Sequence, residues 1–175
     1  MTDYVSQGIQ TALSGLRLGK YRGRVKTNKD EAGLGWIEVT VPTVLGKETR
    51  WAAPCVPFAG EKVGLFAMPP EGANVWVEFE QGDIDRPIWS GCFWEEGEVP
   101  ERADEKTLVL ATAGATIVIS DDGEIEIETS GGTKLILTGD EIKLEAPSIK
   151  QAANGGATEL SSGGFDAQNG ALKVV

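Results

Sequence analysis

Two carboxylates two positions apart, Asp83 and Asp85, stand beside Arg86 in the run GDIDRPIWSGCFW, residues 82–94, with Trp89, Cys92 and Trp94 close behind. Such a pair can serve as general acid and base or hold a hard cation. Here the acids follow Gly82 and lie between two stretches patterned as strands, where aspartate and glycine supply turn chemistry and Arg86 offers an ion-pair partner. A turn is expected, not a catalytic or metal centre. The chain has no histidine, which removes the commonest general base, any Ser-His-Asp triad and the usual imidazole ligands. Cys55 and Cys92 are far apart, each among apolar and aromatic residues. They read as buried reduced thiols, with a disulfide between them left open. The DDG of residues 121–123 is a fragment of a calcium loop without its other ligands, and a hairpin turn accounts for it. A glycosidase needs only two carboxylates, but the glutamates here alternate with apolar residues along narrow strands, which displays them on a solvated face. No enzyme, metal or cofactor is expected.

Charge narrows the partners. Lysine and arginine number 16 against 27 acids, a net charge of -11, which repels a phosphate backbone. Nucleic acid is therefore not expected, although Trp76, Trp89, Phe93 and Trp94 could stack bases on a barrel surface; they are expected instead to fill the barrel and its contacts. Arg17, Lys20, Arg22, Arg24, Lys26 and Lys29 cluster near the start. A solvated strand edge explains them more simply than an acidic partner does. No apolar run approaches the roughly 20 residues that cross a bilayer, and the N-terminus lacks the layout of a secretory signal. Folding in a bacterial cytoplasm is expected.

The elements that must position these residues follow from periodicity. In residues 1–18, Val5, Ile9, Leu13 and Leu16 recur at helical spacing, predicting a short amphipathic helix. Over residues 19–94, GKYRGRVKTN, GWIEVTVP, TRWAAPCVP, EKVGLFAMP, NVWVEFE and RPIWSGCFW are short, rich in β-branched and aromatic residues, and punctuated by turn signals. Ile37, Val39 and Val41 alternate with polar neighbours, as do Val75, Val77 and Phe79, so one face enters a core. Five or six such strands in about 75 residues fit a small closed barrel of the OB type. Residues 95–106 are charged and aperiodic and read as a linker.

Residues 107–175 change character. Apolar pairs two apart recur as Ile117 and Ile119, Ile125 and Ile127, Leu135 and Leu137, Ile142 and Leu144, followed by Ile149. Short turns separate them at a strand spacing of about 7–10 residues. A single narrow ribbon of this kind has nothing to bury those side chains against. Wrapping identical copies about an axis solves the problem, with these nine residues inside and Glu124, Glu126, Glu128, Lys134 and Lys143 outside. The tail is rich in Gly, Ser and Ala and ends in apolar residues, so Ala171, Leu172, Val174 and Val175 are candidates for a docking platform.

The order of segments in residues 19–94 resembles the OB domain of phage baseplate assembly protein V and of VgrG-type central spikes of contractile injection systems. The matching pieces are Val41 and Pro42; Trp51, Ala52, Ala59 and Gly60; Pro69 and Gly72 leading to Val75, Val77 and Phe79; and the turn Gly82, Asp83, Asp85, Arg86 and Pro87. The resemblance implies an all-β chain in which an OB-fold barrel is followed by an intertwined triple-stranded β-helix in a homotrimer. It implies a structural spike that plugs the hub end of a tail tube and pierces the target cell envelope. With no hub domain upstream and no lysozyme-like insertion, the chain resembles the small, separate spikes, so a hub protein is an expected partner. Many such spikes end in a histidine-bearing iron tip. Without histidine, either the tip is metal-free or a PAAR-type cone protein sits on the blunt end, and the apolar C-terminus favours the cone. The competing reading is an OB-fold nucleic-acid or oligosaccharide binder with a β-rich oligomerisation tail.

Overall fold

The computed structural model describes residues 15–154, 156–167 and 171–174, and divides the chain into two compact units, Met1–Glu98 and Val99–Val175. Of the expected N-terminal helix, Val5, Ile9 and Leu13 lie outside the described residues, and residues 15–20 are not helical.

In the first unit, β1 (Tyr21–Thr27), β2 (Ile37–Thr40), β3 (Thr49–Pro54), β6 (Asn74–Phe79) and β7 (Pro87–Cys92) close into a barrel of order β1-β2-β3-β7-β6. Every pairing is antiparallel except the short parallel contact of β3 with β7 that completes the ring. The period-two pattern does what it promised. Ile37, Val39, Val41, Ala52, Val75 and Val77 are fully buried, with Val25, Leu45, Phe79 and Trp89 around them, each large aliphatic contributing about 1.5–3 kcal/mol. Closure needs close backbone approach at Gly23, where a Cβ would stand 2.9 Å from the Thr40 carbonyl oxygen. A single helical turn, α1 (Pro42–Leu45), lies between β2 and β3 and drops Leu45 into the core. Trp89 is held by its indole N–H, which donates to the Gly35 carbonyl at 3.0 Å.

The segment EKVGLFAMP is not a barrel strand. It contributes only β5 (Val63–Gly64), which pairs with β4 (Ala59–Gly60) in a two-residue hairpin outside the barrel sheet. Glycines at both ends of the pairing and prolines at 69 and 70 leave too little chain to continue the ladder. The expectation of buried thiols also fails: Cys55 and Cys92 are both free and exposed, Cys55 just after β3 and Cys92 at the end of β7, where the strands leave the barrel. Of the tryptophans near the end of the barrel only Trp89 fills it; Trp94 is exposed.

The acidic segment 95–106 divides between the units. Glu95 and Glu98 belong to the barrel, where Arg24 reaches Glu95 at 3.1 Å and the buried Asn74 donates to Glu98 at 3.1 Å. Residues from Val99 onward belong to the second unit, where the Asp121 amide donates to the Lys106 carbonyl.

The second unit is two antiparallel meanders. The first has five strands in chain order: β8 (Thr107–Ala111), β9 (Ala115–Ser120), β10 (Ile125–Thr129), β11 (Lys134–Leu137) and β12 (Ile142–Glu145). The second has four: β13 (Ser148–Ala153), β14 (Gly156–Ser161), β15 (Gly164–Ala167) and β16 (Leu172–Val174). Pro147, which has no N–H to give a ladder, stands at the break between them.

Candidate assembly interface

The turn motif of residues 82–87 is closed by its own hydrogen bonds. Asp83 accepts the Asp85 amide at 3.0 Å, and backbone bonds Asp83 to Glu80 and Arg86 to Asp83 close the turn. Arg86 pairs with Glu80 at 2.7 Å, not with the neighbouring aspartates as expected, and Asp85 faces Arg50 at 3.4 Å. Pro87 opens β7 and is buried. Gly82 has φ of +81°, and a Cβ there would meet Leu16 Cβ at 2.9 Å. The Arg17 amide donates to the Gly82 carbonyl at 3.0 Å, so this turn seats the incoming chain.

Three cations of the basic run meet acids of the barrel. Lys20 pairs with Glu78 and Arg24 with Glu95, while Lys29 lies 3.9 Å from Glu71. The Arg22 guanidinium stacks over Trp76 at 5.1 Å and Phe93 at 4.5 Å.

The second unit carries the surface that asks for a partner. Its short turns set the register. Thr112, Thr129 and Thr138 stand at three turn entrances, and each hydroxyl accepts an amide from the far side of its turn. Gly123 and Gly132 take the positive φ the hairpins require. The result is two unbroken aliphatic rows across all five strands. One runs Leu108, Ile119, Ile125, Leu137, Ile142; the other runs Leu110, Ile117, Ile127, Leu135, Leu144. All ten side chains share one face, since alternate residues point the same way. Among the described residues nothing covers that face: Leu108, Leu110, Ile119, Ile142 and Leu144 are 42–72% exposed, and the other five are partly exposed. Eight of the nine residues expected to line an axis are here, and Leu108 and Leu110, which share the same spacing in TLVLA, complete the rows. Ile149 lies in the second meander, in a row with Leu160, Phe165 and Val174.

The opposite face is not simply solvated. The row Val109, Val118, Glu126, Ile136, Lys143 runs between the aliphatic rows on the back of the sheet. Val118 is 2% and Glu126 8% exposed, so the expectation that Glu126 lies free in water is corrected. Arg102, from the segment read as a linker, reaches its carboxylate at 2.8 Å, and Lys134 stands at 3.4 Å. The Arg102 hydrogen bond holds the Glu126 carboxyl below its ordinary range despite its burial. The segment thus reaches the centre of this face at Glu126, where Val118 and Glu126 are buried.

Of the expected tip residues, Ala171 is exposed just before β16, and Leu172 and Val174 lie within β16, 58% and 59% exposed. They pair with Ala167 and Phe165 rather than hanging free. Val175 lies outside the described residues.

Residues 21–94 match the family model of the Type VI secretion system and phage-baseplate injector OB domain. No curated protein matches the chain.

Proposed function

We propose, from a barrel whose residues 21–94 match the family model of the Type VI secretion system and phage-baseplate injector OB domain, that this chain is the central spike of a contractile tail or injection machine. The observation that carries the reading is the open aliphatic face of β8 to β12, set on the same chain as that barrel. Three copies placing these faces against one another would bury them about a common axis, as an intertwined triple-stranded β-helix. Transferring the five most open side chains from water would return on the order of 4–8 kcal/mol per chain. The charged faces, with Glu126 already held by Arg102 and Lys134, would then form the outside.

The work is mechanical, with no reactive residue. A dry axial core and fully paired ladders resist bending, because a bend breaks many contacts together. The spike would plug the tube end at a hub protein and pierce the target envelope when the sheath contracts. Assembly in the bacterial cytoplasm precedes incorporation in a virion or injection particle. Leu172 and Val174 would offer an apolar strand to a PAAR-type tip protein.

The experiment is the solution mass by light scattering with a heating series followed by circular dichroism. A trimer that keeps its β signal well above the unfolding range of ordinary domains is expected. A monomer would sink the spike reading.

A further inference from the structure

Two tryptophans stand outside the barrel core on neighbouring strands. Ile37 pairs with Ala52, and both are fully buried. The residue before each, Trp36 and Trp51, therefore points outward. The two stand diagonally across that pair, about 7–8 Å apart in the backbone and within reach of one ligand. They are 36% and 41% exposed and share the wall of a hollow of about 450 Å³ with the 63%-exposed Leu34. Small-ligand sites span roughly 300–1,000 Å³. The loop that carries Trp36 is already fixed. The Asp30 carboxylate accepts the amides of Ala32 at 3.0 Å, Leu34 at 2.6 Å and Trp36 at 3.1 Å. A loop closed by its own carboxylate needs little ordering when a ligand arrives. Asp30 is spent on that closure, and the other charged groups on the wall are Lys29 and Glu31, a donor and an acceptor.

We propose that this hollow binds a neutral oligosaccharide, stacked on Trp36 and Trp51 and hydrogen-bonded at its edge by Lys29 and Glu31. The C–H face of a pyranose ring is electron-poor and meets the negative face of an indole. Its edge hydroxyls both donate and accept, which a carboxylate beside an ammonium can use together. Nucleic-acid bases could stack on the same rings, but the net charge of -11 and a carboxylate on the wall oppose a phosphate backbone. A wholly apolar ligand would leave both charged groups unused. The inference goes beyond the spike reading and does not rest on it, since every residue of the site belongs to one barrel.

The test titrates the purified full chain with chitotetraose and with cellotetraose, read by tryptophan fluorescence and calorimetry. Saturable binding of at least one, with a dissociation constant of about a millimolar or tighter, is expected. Trp36→Ala and Trp51→Ala should each weaken it about ten-fold or more, the scale of losing one ring from a stacking platform. Trp51→Tyr keeps a ring and should retain most of the affinity, which separates lost stacking from a lost fold. Trp94→Ala removes an indole that is 64% exposed but not on this wall and should bind as the natural chain does. A natural chain that binds neither sugar overturns the proposal, as does binding that both alanine variants leave unchanged. Tighter binding of an oligothymidylate than of either sugar also overturns it and assigns the shelf to bases. None of these results bears on the solution mass, so the spike reading stands or falls separately.

Discussion

Replacing Ile127 with aspartate probes the open sheet face at its centre. Ile127 lies between Ile117 and Leu135 in the second aliphatic row, on the middle strand of five. In the isolated chain its side chain is only partly buried, so the aspartate keeps access to water and costs about 1–2 kcal/mol of local stability. In a three-copy assembly it must be desolvated in each chain, at several kcal/mol per ion and with no cation on that face. Set against the 4–8 kcal/mol per chain available from the open residues, a loss of about 4 kcal/mol weakens association about a thousandfold. Light scattering at micromolar concentration should read a folded monomer. Glu128→Gln, on the opposite face of the same strand and paired with Lys134 at 3.1 Å, should leave the oligomer intact, since a half-exposed ion pair is worth under about 1 kcal/mol. Burial raises the carboxyl pKa of an introduced aspartate, so its assembly should recover partly near pH 5. Unchanged mass for Ile127→Asp, or equal dispersal by both substitutions, would refute the argument that this face is the interface.

Three further outcomes follow from named contacts. The folded-state pKa of Glu126 is lowered by the Arg102 hydrogen bond, so its contribution is present above the ordinary glutamate value of 4.5 and is lost as pH falls through the lower folded value; denaturant midpoints should show Glu126→Gln weaker by about 1–3 kcal/mol at pH 7, with the gap closing below pH 4.5. Gly82→Ala combines a positive φ with a Cβ 2.9 Å from Leu16 and should cost about 1–3 kcal/mol, seen as a lower melting temperature; an unchanged melt would mean residues 16–17 are not seated there. Trp89→Phe leaves the Gly35 carbonyl without its 3.0 Å donor and should destabilise the barrel by about 1–3 kcal/mol, measured by chemical denaturation.

The barrel was legible in the sequence because β2 and β6 alternate apolar with polar residues and turn signals bound the segments. Ile37, Val39, Val75 and Val77 could face only inward, and the structure buries all four. The aliphatic spacing after residue 107 was legible for the same reason, down to the face its members share. The β4–β5 hairpin was misread because VGLFAM has strand composition, and composition does not tell whether a neighbouring strand has a free edge to accept it. Arg86 found Glu80 instead of an aspartate because the turn's backbone bonds turn Asp83 onto its own chain. Exposure of Cys55 and Cys92 depended on where each strand leaves the barrel, which the surrounding apolar letters do not record. The sequence by itself determined which residues alternate, hence which side chains share a face. Only the tertiary structure decided which face is covered. Sealing depends on contacts distant in sequence, such as Arg102 on Glu126 across the back of the sheet, and a local period carries no information about what lies over it.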